Sequence, residues 1–166
     1  MFDLLSKLDF SGAGSTLHRA WGLLSPLPGG KQLFNRLIGL INPYTGSIGA
    51  EILELAPGHA RARLRERRAV QNHVGSIHAI ALINLAEVTS GLALMCGLPD
   101  DARGLPIHLA IDYHRKARGV VTAECDCEPP ATNAPQEIEL SCAMTDAGGT
   151  LVATAAARWK VSPKRR

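Results

Sequence analysis

Aromatic residues are scarce in this 166-residue chain: two Trp, two Tyr and three Phe amount to 4% of it. So few cannot build a platform of interleaved aromatic and basic side chains of the kind that stacks nucleic acid bases. A net charge of +3 is also too small, by itself, to argue for a polyanionic partner. Cysteine is used sparingly. Cys96, Cys125, Cys127 and Cys142 include no Cys-x-x-Cys pair, which argues against a zinc site or a thioredoxin-like redox pair. They read as buried, reduced thiols, with Cys125 and Cys127 pointing the same way on one strand. The first ten residues, MFDLLSKLDF, lack a basic leader region, and Asp3, Lys7 and Asp9 interrupt any secretory apolar run. Together these features predict a cytoplasmic protein without metal or cofactor.

What the chain does have is one long apolar run. From Ile77 to Met95, within NHVGSIHAIALINLAEVTSGLALMC, the residues suit a helix filled on almost every side by Ala, Ile and Leu. The length would suffice for a membrane span. Glu87 near its middle, where an ionised carboxylate is expensive in hydrocarbon, and the alternating patterns after it favour a helix buried inside a globular fold and no membrane span. A buried Glu is rare unless it is paired or working.

The segments before the run read as helical lead-in. Leu4, Leu5 and Leu8 are at helical spacing, and so are Leu17, Trp21 and Leu24; a break follows at Pro26 to Gly30, then a helix from Gln32 to Ile41 that Pro43 ends. The helix carries Leu33, Phe34, Leu37 and Leu40 or Ile41 on one face, apolar and lightly basic enough to suit a membrane surface as well as the outside of the main fold. From Ile48 the period changes. Ile48 to Leu55 and His59 to Arg67 are strand candidates around a Pro57-Gly58 turn, with Ala60, Ala62 and Leu64 on one face and Arg61, Arg63, Arg65 and Arg67 on a wet, basic one.

After the long helix come four more alternating runs: Leu105, Ile107, Leu109, Ile111 and Tyr113; Val121, Ala123, Cys125 and Cys127; Ile138, Leu140, Cys142 and Met144; and Leu151, Ala153, Ala155, Ala157 and Trp159. The order of helices, two strands, one apolar helix and four strands predicts an α+β fold in which an antiparallel sheet curls around the helix. A helix apolar on every side needs more cover than its own sheet supplies, which predicts a second copy across a two-fold axis. The expected division is a helical extension over residues 1–42, the main domain over 43–161 and a frayed basic tail over 162–166.

At Asn72, Gly75, Ile77, His78 and Glu87 the sequence resembles hotdog-fold acyl-CoA thioesterases of the phenylacetate-degradation and 4-hydroxybenzoyl-CoA groups. Their pattern is an Asn, a Gly-x-x-His-Gly-Gly opening the central helix, and an acidic residue nine positions after the His. Ala79-Ile80 stands here where those enzymes carry Gly-Gly. The resemblance runs in element order from about Pro43 to Val161. It implies a hotdog fold with extra N-terminal helices, hydrolysis of an acyl-CoA or related thioester, and a homodimer, with a dimer of dimers as the larger assembly. It also implies CoA phosphates held near Arg115, Lys116 and Arg118, residues that read equally well as a solvated turn.

The residues support that chemistry on their own terms. Asn72 to His78 leads into a helix N-terminus, where free N–H groups and the positive dipole end would stabilise an oxyanion. The backbone N–H groups of Gly75 and Ala79 are the candidates, and the resemblance favours Ala79. Glu87, nine residues after His78, lies roughly 13 Å along the helix and half a turn round, so the two ends of the motif meet only if two antiparallel helices from different subunits pair. Glu87 is then general base or nucleophile, or else a structural group bonded to Asn84, Thr89 or Ser90. Asn72 orients water or the carbonyl, or caps the helix; His78 is a helix-start hydrogen-bonding residue or a direct participant; Thr89 and Ser90 bind the attacking water. A non-catalytic acyl-binding module and a hotdog hydratase or dehydratase are the alternatives.

Overall fold

The computed structural model describes residues 14–164. The Leu4, Leu5 and Leu8 segment lies outside them. Among the described residues three helices come first: α1 (Gly14–Leu24), α2 (Gly30–Ile41) and α3 (Pro43–Ile48). The hairpin β1 (Glu51–Ala56) and β2 (His59–Arg65) follows. After it come the long helix α4 (Ala79–Gly97) and the strands β3 (Ala102–Tyr113), β4 (Val120–Asp126), β5 (Gln136–Asp146) and β6 (Leu151–Pro163).

The strands form one antiparallel sheet in the order β1-β2-β4-β5-β6-β3, curled around α4. Alternation in the sequence decides which face meets the helix. Ala60, Ala62 and Leu64 of β2, Val121, Ala123 and Cys125 of β4, and Ala153, Ala155, Ala157 and Trp159 of β6 are all buried. Small residues on the inner face let the sheet approach α4 closely. Gly91 does the same from the helix side, since a Cβ there would lie 2.7 Å from the Trp159 ring. Cys125 and Cys142 are cross-strand partners in this core, and burial pushes both thiols up to about 12.

The two edges of the sheet are treated differently. On β1, α2 supplies the missing partners: Asn35 Oδ1 accepts the Ile52 N–H at 2.8 Å and Lys31 Nζ donates to the Leu53 carbonyl at 2.8 Å. Lys31 also lies over the Trp21 ring, 5.4 Å from its centroid. On β3 nothing among the described residues covers the edge, and Leu105, Ile107, Leu109 and Tyr113 are exposed. An apolar, unpaired edge is a pairing surface.

Several expectations need correction. Ile48 belongs to α3, and β1 starts at Glu51. Pro43 ends α2, as its missing N–H requires, but also opens α3 as its first residue, which Gly49 then closes in the left-handed conformation (φ 66°). The buried contacts of α2 come from Phe34, while Leu33 and Leu40 face solvent. A bulge between Pro106 and His108 shifts the register of β3 on β6, so Leu105, opposite exposed Lys160, faces away from Leu109, Ile111 and Tyr113. A second bulge beside Thr145 leaves Leu151 exposed and buries Val152. β6 runs to Pro163, which pairs with Ala102.

Candidate active site

The motif residues build the entry to α4. Asn72 makes the loop: its Oδ1 accepts the N–H groups of Val74 and Ser76, both at 3.1 Å, and its Nδ2 donates to Ser76 Oγ at 2.9 Å. These bonds close a turn within the loop. Gly75 is needed for its positive φ of 69°. His78 caps the helix, its Nδ1 accepting the Ile80 N–H at 3.1 Å. That leaves the Ala79 N–H, first in the helix, without a partner among the described residues.

A cavity of about 370 Å³ opens at this helix start. Its lining includes Asn72, Ser76, Ala79, Tyr113, Arg115 and Lys116. The structure therefore brings together four of the residues expected from the sequence: Asn72, Ala79, Arg115 and Lys116. Two others are drawn elsewhere. The Gly75 N–H is turned into its own loop, toward the Asn72 carbonyl at 3.3 Å. The exposed His78 ring lines a separate cavity with Tyr44, Ile48 and Ile80. Arg118, also exposed, does not line the Arg115 and Lys116 cavity. Its charge instead adds to the Gly119 N–H and the Gln71 amide in holding the Glu66 carboxyl low.

Glu87 lies eight residues into α4 from Ala79, roughly 12 Å along the axis, and does not reach this cavity within one chain. Between its two ends α4 is enclosed except for a stripe of Ile80, Ile83 and Glu87, at helical spacing on one side. The Glu87 carboxylate takes no hydrogen bond or ion pair among the described residues, and desolvation alone pushes its pKa up. The structural alternatives for it are not formed. Thr89 Oγ1 donates to the Leu85 carbonyl at 2.6 Å, and Ser90 Oγ donates to the Glu87 carbonyl at 3.2 Å while accepting from Trp159 Nε1 at 3.3 Å. Both are fully buried. In the described chain their hydroxyls bond to helix carbonyls and to the Trp159 ring.

Two residues near the motif were missed. Tyr113 donates its hydroxyl to the Ala79 carbonyl at 3.1 Å; the only signal for it was an aromatic ending an inward-facing alternation. Asn84, one turn before Glu87, is buried with neither amide atom partnered among the described residues. The basic face of β2 carries ion pairs: Arg63 and Arg65 bind Glu51, and Arg61 binds Glu54. His59, Glu124 and Asp126 bring ligand atoms within 4.8 Å of one another, but Arg61 reaches Glu124 at 3.8 Å and His59 bonds Asp126 at 2.7 Å, so this group is an ion-pair cluster.

A curled antiparallel sheet wrapped around one long helix, with the motif at the helix start, defines the hotdog class of fold. Residues 30–161 match the family described as a domain of unknown function, DUF4442, and the chain belongs to that family. The match takes in α2 and α3, so these helices are part of the family's unit as well as of this chain. No curated protein matches the sequence. Among solved structures, a structural-genomics protein named APC5556 is 28% identical with a TM-score of 0.77, over 90% of this chain and 99% of that one. A protein of unknown function from Pseudomonas aeruginosa, named a probable thioesterase, is 23% identical with a TM-score of 0.72, over 83% of this chain and 97% of its own. A thioesterase from Haemophilus influenzae is 17% identical with a TM-score of 0.68, over 80% and 90% respectively. These likenesses establish the fold.

Proposed function

We propose that the protein is a cytoplasmic thioesterase that hydrolyses an acyl-CoA or related thioester at a site shared across a homodimer, itself able to pair into a dimer of dimers. The observation that carries this reading is Glu87: a half-buried, desolvated carboxylate, unpartnered among the described residues, on the uncovered stripe of the central helix. Such a group is costly to keep unless it works. The exposed apolar edge of β3 supports the second copy, and the thioesterase names of two structural neighbours support the reaction class.

In the dimer, Glu87 of one subunit faces the helix start of the other. The thioester carbonyl oxygen points at the free N–H of the partner subunit's Ala79 and the positive end of that helix, which stabilise the developing oxyanion. Glu87 either takes a proton from the water that attacks the carbonyl carbon, or attacks that carbon itself to form an anhydride that water opens. In both routes the carbon–sulfur bond breaks and the thiol leaves toward Arg115 and Lys116, whose charges suit CoA phosphates. No metal or cofactor takes part in either route.

The decisive experiment measures free-thiol release from a panel of acyl-CoAs by wild type, Glu87→Gln and Glu87→Ala, with dimer mass checked for each. Turnover by wild type and its loss in both variants supports the proposal. A wild type that releases no thiol but binds acyl-CoA supports the second reading, a non-catalytic acyl-binding module. Ile80 favours that reading, because an exposed isoleucine fills the first turn of α4 where the resembling enzymes carry glycine. Release of an enoyl product in place of thiol would mark a hydratase or dehydratase.

A further inference from the structure

Asn84 has a buried amide that nothing among the described residues uses. The residue is 6% exposed, and neither Oδ1 nor Nδ2 has a hydrogen-bond partner there. A buried amide left unpaired destabilises the fold, and native structures hold few such groups. A leucine would fill the same space without that penalty.

The surroundings of Asn84 indicate where a partner would come from. Ala81, Asn84 and Val88 follow one another at three- and four-residue spacing and share one face of α4. Ala81 lines a cavity against Tyr44, Ser47 and Ile48. Val88 lines a larger one, of about 570 Å³, against Thr45, Gly46 and Gly49, with Ile38 of α2 and Ile52 of β1 as further walls. Residues of α3 and its ends wall both cavities, which flank Asn84 along this face of α4. The larger cavity is of small-molecule size, and its wall at Val88 is the residue next to Glu87. Asn84 itself is one turn from Glu87, about 5–6 Å between their Cβ atoms.

We infer that Asn84 is a specificity-determining residue: the acyl group of the thioester enters the cavity between α2, α3 and β1, and a hydroxyl or carbonyl oxygen on its β-carbon hydrogen-bonds the Asn84 amide. This rests on the thioesterase reading for the position of the thioester carbonyl beside Glu87. Given that position, the spacing from Glu87 to Asn84 selects a polar atom two or three carbons along the chain. An amide offers both a donor and an acceptor, so it matches a hydroxyl or a keto oxygen equally well. The remainder of the acyl chain lies against Ile38, Ile52 and Val88. Because the amide is closed over in the free chain, α3 shifts when the acyl group binds. Its six residues end at left-handed Gly49, and no side chain caps its start.

The test compares octanoyl-CoA with β-hydroxyoctanoyl-CoA on the dimeric full chain, as wild type and Asn84→Leu. Binding of the two non-hydrolysable thioether analogues is measured alongside thiol release. Wild type should favour the β-hydroxy compound about tenfold or more, the discrimination of a site with an otherwise unpaired buried group. Asn84→Leu should lose that preference through a fall on β-hydroxyoctanoyl-CoA, and melt no lower than wild type. Equal use of both substrates by wild type, or an equal fall on both in Asn84→Leu, would overturn the inference. If no thiol is released but the thioether analogues still show the preference and its loss, the hydrolytic reading fails and the role of Asn84 stands.

Discussion

Tyr113 Oη donates to the Ala79 carbonyl at 3.1 Å, tying the end of the edge strand β3 to the first turn of the central helix. The bond fixes Ala79, whose N–H is the proposed oxyanion donor, and Tyr113 lines the same cavity. Tyr113→Phe should therefore lower kcat by about three- to tenfold with KM little changed, and lower stability by only about 0.5–1 kcal/mol because the ring is half exposed. Steady-state kinetics and denaturant unfolding on one preparation separate the two effects. A change in KM alone would place Tyr113 in substrate binding instead.

Glu87 gives a pH dependence with a definite sign. Burial raises its folded-state pKa above the ordinary value of 4.5, so the folded chain holds the proton more tightly than the unfolded one. Its stabilising contribution is then present below the unfolded pKa and is lost as pH rises through the folded value. Glu87→Gln should melt higher than wild type near neutral pH, and the difference should vanish in acid. The proposed mechanism uses Glu87 as the carboxylate, and on that proposal kcat/KM for wild type should rise with pH through that same raised pKa. Loss of the base should reduce turnover by about 10²- to 10⁴-fold. Thermal melts across pH and a pH–rate profile check both.

His78 acts as a cap, and the consequence separates it from a catalytic base. His78→Asn keeps an acceptor for the Ile80 N–H and should retain most of the activity, whereas His78→Ala should lower stability by about 1 kcal/mol. A large loss of turnover in His78→Asn without loss of stability would instead assign the ring a chemical role.

Periodicity makes much of this architecture readable in the amino-acid sequence. The alternation at Ala60, Ala62 and Leu64, or at Leu140, Cys142 and Met144, dictates an inner face, and a helix apolar on every side has to be enclosed. What escapes it are features set by single backbone events. The bulge at Pro106 to His108 turns Leu105 away from Leu109, although the residue types alternate without a break. Pro43 marks a boundary in the sequence without saying that one helix ends and another begins there. The site is legible as positions, and less so as roles. Asn72, Gly75 and His78 stand where the motif expects them, yet their polar atoms or N–H groups are used to shape the loop and cap the helix. Thr89 and Ser90 show the same limit, since spacing places them near Glu87 but cannot tell that their hydroxyls bond backward to helix carbonyls. Asn84 is invisible as a site because an unsatisfied group is defined by its surroundings.

The helix α2 tests how the chain protects the strand that is not offered for pairing. Asn35 Oδ1 is the acceptor for the Ile52 N–H, at 2.8 Å on the β1 edge, and Ile52 itself is 2% exposed. Asn35→Leu leaves that donor unpaired beneath an apolar side chain, which should lower stability by about 1–3 kcal/mol and loosen α2 from the sheet. Asn35→Asp keeps the acceptor and should recover most of the loss. The first variant should also exchange the Ile52 amide proton faster, since local opening frees the edge, and should associate further on warming as unpaired strand edges do. Amide exchange and light scattering during a melt read these effects. If Asn35→Leu matches wild type in both, the edge is held by Lys31 and the packing of Phe34, and the Asn35 bond contributes nothing measurable.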